Sequence, residues 1–174
     1  MQQTIEAMVK ILGEMRRRDF ITIIDFATNV TVWERVAGRA VLEASAENLE
    51  AARRHVEQLV AEGETNINDA LLQALTVVEE TQGQEELAGV QPMVLFLTDG
   101  HPTVGETDTL RILGNVKKAN TELRTAVFSL AFGRKTDFSM LRLLSVQNFG
   151  FARKIYTAAD ASLQLEGFYQ EVSR

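Results

Sequence analysis

Met93-Val94-Leu95-Phe96-Leu97, followed at once by Thr98-Asp99-Gly100, is the stretch whose reading decides the fold. An unbroken apolar run that stops at a turn suits a strand covered on both faces, as in a parallel sheet. Ligands of open α/β sheets bind just beyond the carboxyl ends of such strands. Asp99 therefore stands where function is expected, and Gly100 lets a second backbone come close. A carboxylate there suits a hard cation such as Mg²⁺. On position alone an Asp-Gly turn explains the pair equally well.

Upstream, Thr65-Asn66-Ile67-Asn68 leads into a helix whose inner face carries Leu71, Leu72, Leu75 and Val78. Asn66 or Asn68 is suited to cap it. Thr65 offers a hydroxyl on the same sheet edge as Asp99, although a Thr before a helix is more often a cap. Further back, Glu47 to Val60 reads as a helix with Leu49, Val56, Leu59 and Val60 as apolar positions. Phe20 to Ile24 reads as a strand buried on both faces, rich in β-branched residues. Ala27-Thr28-Asn29 reads as a turn, and Val30 to Val36 as a strand returning in a hairpin, with Trp33 packed. Ile5, Met8, Val9, Leu12 and Met15 fall at helical spacing and give the chain an amphipathic opening helix.

Downstream, Thr107 to Ala119 is predicted helical, with Leu110, Ile112, Leu113 and Val116 inside. A strand follows at Arg124 to Ala131, a turn at Gly133, and a helix from Asp137 to Ser145. A short strand, Ala152 to Tyr156, and a helix, Thr157 to Val172, close the chain, with Leu163, Phe168, Tyr169 and Val172 inward. Alternating strands and helices imply an α/β fold: a doubly wound, mostly parallel sheet with helices on both faces. No linker or repeat divides residues 1–174, so one domain is expected. An opening helix with no strand before it leads us to expect an N-terminally truncated domain that lacks its first strand.

Composition removes several classes of function. The net charge is −6, against nucleic acid, whose phosphates call for clustered Lys and Arg. Arg16-Arg17-Arg18 sits where a helix ends, where positive charge complements the helix dipole. There is no cysteine, so neither disulfides nor thiol chemistry arises. No apolar run approaches the ~18 residues of a membrane span. Met1 to Met15 is not a signal peptide, because Glu6 and Glu14 interrupt it. Phosphate-binding glycine motifs and the G-x-S-x-G nucleophile turn are absent, so no catalytic residue is nominated. His55 lies in a mostly polar helix and reads as a surface residue, and His101 as a solvated loop residue. Two histidines without thiolates make no zinc cage. Asn29-Val30-Thr31 is an N-glycosylation acceptor pattern in a surface hairpin.

Thr65-Asn66-Ile67-Asn68 and Val94-Leu95-Phe96-Leu97-Thr98-Asp99-Gly100 resemble the second and third elements of a metal-ion-dependent adhesion site, which defines von Willebrand type A domains. The first element, D-x-S-x-S, does not occur in the chain. Gln3-Thr4 with Ile11-Leu12, Asp99 to Thr103, Phe128 to Gly133, Asp137-Phe138, Arg153 to Tyr156 and Leu165 to Tyr169 narrow the likeness to the inter-alpha-trypsin inhibitor heavy chains. That resemblance implies a secreted, extracellular matrix protein and a non-enzymatic binding module. It implies bikunin, hyaluronan and chondroitin sulfate as partners of the full-length protein, attached through a far C-terminus outside these residues. It implies Thr65 and Asp99 as metal ligands for Mg²⁺, held weakly or not at all by a chain without the missing serines. The alternative is a metal-independent structural or assembly domain packing against its neighbours.

Overall fold

Ala126–Phe132 is the middle strand of a three-stranded parallel sheet, and its residues divide alternately between two cores. Val127 and Ala131 face one, while Phe128, Leu130 and Phe132 face the other. A computed structural model describes residues 2–33, 41–60, 63–134, 136–156 and 164–173. In chain order the elements are α1 (Gln2–Glu14), β1 (Phe20–Ile21), β2 (Ile24–Phe26), β3 (Val30–Val32), β4 (Leu42–Glu43), α2 (Ala46–Glu57) and α3 (Ile67–Thr81). After a 3-10 turn at Glu85–Leu87 come β5 (Met93–Thr98), α4 (Thr109–Ala119), β6 (Ala126–Phe132), α5 (Phe138–Gln147), β7 (Ala152–Ile155) and α6 (Phe168–Val172).

The parallel order is β5-β6-β7, with Met93 opposite Ala126 and Ser129 opposite Ala152. Helices α3, α4 and α5 cover one face, packing Ile67, Leu71, Leu75, Ile112, Val116, Met140 and Leu144 against Phe96, Val127 and Ala131. Ala7 and Ile11 of α1, with Phe168 and Tyr169 of α6, cover the other. Both faces are thus layered with helices, the doubly wound arrangement that the alternation predicts. Where Ser129 puts a hydroxyl into this interior, the Ser145 hydroxyl meets it at 2.8 Å, so the buried polar pair is satisfied.

Each of the longer helices after α1 starts on a side-chain cap. Ser45 accepts from Asn48 N–H, Asn66 from Asp69, Asp108 from Arg111 and Asp137 from Met140. α6 is anchored from elsewhere: the Glu14 carboxylate accepts from the Gly167 and Tyr169 amides at 2.9 and 3.1 Å. Burial, then a hydrogen bond to Asp19, pushes the Tyr169 hydroxyl above the usual tyrosine range. At the amino edge of the sheet, Asn120 donates to the Thr125 carbonyl and the Asn148 side chain, joining the ends of α4 and α5. Beside that joint the Arg124 guanidinium lies 5.3 Å over the Phe149 ring.

Several expectations are corrected. Phe20 to Ile24 is not one parallel strand: Phe20–Ile21 pairs antiparallel with β4, and Ile24–Phe26 antiparallel with β3. The two halves are recruited by different partners, and Ile23 between them accepts a hydrogen bond from Trp33 N–H at 2.8 Å. Leu110 is 77% exposed, because the buried stripe Ile112, Leu113 and Val116 projects back to Thr109, not Leu110. α2 ends at Glu57, leaving Val60 exposed. Of the two residues suited to cap α3, Asn66 is the one that does, as expected. His55 is not a simple surface residue: its Nε2 lies 2.6 Å from Asp25 Oδ2 and its ring stacks on Trp33. The predicted strand at 34–36, Leu163 and the start of the closing helix at 157–163 lie outside the described residues.

A candidate metal-ion site at the carboxyl edge of the sheet

Asp99 is the first residue beyond β5 and is exposed at the carboxyl edge. Its position is fixed from behind. Thr98 is buried, and its hydroxyl accepts from Gly100 N–H at 3.3 Å, curling the backbone into the turn. The neighbouring α3 starts at the same edge, with Asn66 as its cap. Because Asn66 takes that role, the Thr65 side chain does not. The alternative reading of Thr65 as a helix cap is therefore set aside.

Thr65 is half-buried, and its hydroxyl lies over Gly100: a Cβ built there would stand 3.3 Å from Thr65 Oγ1. The loop that carries Asp99 and the loop that carries Thr65 are thus in close contact. Thr65 N–H donates to Thr103 Oγ1 at 2.7 Å, and Thr103 N–H donates to the Thr65 carbonyl at 3.1 Å. Gly105, at φ +70°, passes so near Asn66 that a Cβ would fall 2.7 Å from Asn66 Oδ1. A side chain at Gly105 would press on the Asn66 cap, and one at Gly100 would crowd the Thr65 hydroxyl by a few tenths of an ångström.

The β2–β3 turn borders the same edge. Asn66 N–H donates to the Ala27 carbonyl at 2.9 Å, and Thr28 Oγ1 accepts from Glu64 N–H at 3.4 Å. Asn29, the acceptor of the glycosylation pattern, is exposed in this turn, next to the loop of Thr65. His101 is exposed.

Thr103 was not nominated from sequence. Its partner lies thirty-eight positions away, and no local pattern reports such a contact.

A hydroxyl and a carboxylate are the oxygen donors that a hard divalent cation takes, so the donor chemistry here fits Mg²⁺ in kind. In number it is sparse: among the described residues there is no group of three or more His, Cys, Asp or Glu that could hold a metal. No described helix is long and apolar enough to cross a membrane.

The family model for the von Willebrand factor type A domain matches residues 1–171. The chain belongs to that family. Human inter-alpha-trypsin inhibitor heavy chain H6 is 42% identical to this type A domain over 176 residues, which span 99% of the chain and 13% of that protein. The chain thus spans only a small part of that relative's length. A von Willebrand factor type A protein from Catenulispora acidiphila superposes with a TM-score of 0.80 at 18% identity, over 97% of this chain and 37% of that one. Proximal thread matrix protein 1 from the mussel byssus, with zinc in its MIDAS motif, superposes at 0.68 and 14% identity, over 95% of this chain and 41% of that one. At such identities the two structures establish the fold alone.

Proposed function

We propose that this type A domain is a non-enzymatic extracellular binding module of a heavy-chain-like protein. Its carboxyl edge offers Thr65 and Asp99 as oxygen donors to Mg²⁺. The observation that carries this reading is the seating of the Thr65 hydroxyl over Gly100, on the turn that presents Asp99. Bound there, the cation would supply a Lewis-acidic position for an acidic oxygen of a protein or matrix ligand. Thr65 would give a neutral oxygen and Asp99 negative charge. The zinc-occupied MIDAS motif of the byssus protein supports the placement by analogy of fold. Likeness to the heavy chains extends the proposal to a secreted protein whose full-length form associates with bikunin and with hyaluronan or chondroitin sulfate.

Mg²⁺ requires near-octahedral oxygen coordination and sheds water reluctantly, so two protein donors hold it weakly. We propose that a preceding strand ending in D-x-S-x-S completes the set. β5 is paired on one side only among the described residues, by β6, which leaves backbone groups for such a strand. Calorimetry with Mg²⁺ tests the reading on the chain and on a longer chain bearing that strand. The longer chain is expected to bind tightly and the 174-residue chain poorly. Equal, negligible binding by both would leave the metal-independent assembly role, recognised by association that EDTA does not disturb.

A further inference from the structure

We infer that Thr103 is the positioning residue of this edge, setting the Thr65 hydroxyl against Gly100 by holding both backbone groups of Thr65. The purpose of that positioning rests on the metal reading above, but the positioning itself does not.

The two loops meet in a reciprocal pair. Thr65 donates its amide to the Thr103 hydroxyl at 2.7 Å and accepts the Thr103 amide at 3.1 Å. With its own N–H and C=O both committed to Thr103, Thr65 has little freedom to rotate about its backbone. Asn66 meanwhile donates its amide to Ala27 and caps α3 with its side chain, fixing the next residue as well. Neither neighbour asks anything of the Thr65 hydroxyl. That group is left facing Gly100, where the absent Cβ admits it at contact distance. The Gly105 approach to Asn66 closes the far end of the same loop, so Thr103 lies between two glycines that permit the contact and supplies the polar link between them.

Only the side-chain oxygen of Thr103 makes the Thr65 amide bond, so the prediction separates hydroxyl from shape. Thr103 is exposed, which limits the structural cost of changing it. In the metal-free 174-residue chain, amide hydrogen exchange is measured at Thr65, with Val127 of the central strand as the internal control. Thr103→Val and Thr103→Ala are expected to speed exchange at Thr65 by about tenfold, the loss of one hydrogen bond. Val127 should be unmoved in both, and Thr103→Ser, which keeps the hydroxyl, should restore the Thr65 rate. A general packing role would instead move Val127 together with Thr65, and valine would serve as well as serine. Unchanged exchange at Thr65 in both the valine and alanine variants, or failure of serine to restore it, overturns the proposal.

A second measurement separates this from the metal reading. Mn²⁺ is titrated into the longer chain carrying D-x-S-x-S, and paramagnetic broadening of the Thr65 amide is followed. Broadening in the wild type that weakens in Thr103→Val joins the two ideas. No broadening at Thr65 in the wild type overturns the metal reading and leaves the exchange result to judge Thr103 by itself.

Discussion

The Phe26 ring in β2 stacks on the Phe96 ring in β5, with centroids 5.3 Å apart and planes 21° from parallel. The hairpin therefore meets the parallel sheet through side chains, because β2 pairs with β3 and β5 with β6. Phe96 is 5% exposed, and Phe96→Ala is expected to cost about 3–5 kcal/mol of stability. Phe26 is only half-buried, so Phe26→Ala should cost less. Denaturant melts of both singles and the double should give a coupling of about 0.5–1.5 kcal/mol. Strict additivity would mean that the stack contributes nothing beyond burial.

His55 and Asp25 attach the hairpin to α2 as well, in addition to its bonds to the loop before α3. Their side chains are 26% and 23% exposed, so the 2.6 Å contact between them is partly sheltered from water. Removing the imidazole leaves the Asp25 carboxylate without that partner and uncovers Trp33. His55→Ala is expected to destabilise by about 1–2 kcal/mol in urea melts at neutral pH. A change inside the error of the melt would class the bridge with inconsequential surface pairs.

Gly150 has the least room of any glycine described. A Cβ there would lie 2.1 Å from the Val127 carbonyl oxygen, an atom of the central strand that has no freedom to withdraw. Gly150→Ala should therefore destabilise by about 3 kcal/mol or more, far beyond an ordinary surface substitution. Gly114→Ala, with nothing within 4 Å and a helical position, should instead be neutral or stabilising by under about 1 kcal/mol. Thermal melts of the pair give the comparison, and similar melting temperatures would refute it.

For the metal, the longer chain with D-x-S-x-S separates charge from neutral donor. Asp99→Ala should weaken Mg²⁺ more than Thr65→Ala, because it removes a full negative charge. His101→Ala, at an exposed position, should leave affinity unchanged. Calorimetric titrations rank the three, and indifference to Asp99→Ala would remove Asp99 from the site.

Asn29 is proposed to carry an N-linked glycan when the chain passes through the secretory pathway. It is exposed in a turn, and Thr31 of the acceptor pattern is exposed as well. Glycosidase treatment of secreted material should increase gel mobility, and Asn29→Gln should abolish the change. Identical mobility with and without the enzyme counts against the site. Since this turn bonds to the loop of Thr65, a glycan there would border the candidate metal edge.

Strand β5, the helices α3, α4 and α5 and the layering of the sheet were legible from apolar runs and helical spacing, because burial on two faces or on one stripe writes itself into local order. Asp99 and Thr65 were legible as edge residues for the same reason, since each follows or precedes an element with a clear period. What was not legible depended on partners distant in sequence. Phe20 to Ile24 looks continuous, yet its halves pair with β4 and β3 separately. Leu110 has the hydrophobicity of a core residue but the wrong angular position. His55 reads in sequence as a residue of a polar helix, yet Asp25, thirty positions away, lies 2.6 Å from it.

The single tryptophan sits in the joint between the hairpin and α2, its ring 5.3 Å from the His55 ring and its backbone amide bonded to Ile23. The chain therefore carries its own optical gauge at one specific seam. Indole emission will record whether the hairpin is seated on α2, while far-ultraviolet dichroism records the helices and sheet as a whole. If the seam opens before the rest of the molecule, the two signals will part company on heating, and the temperature gap between them measures how independently the hairpin can lift away.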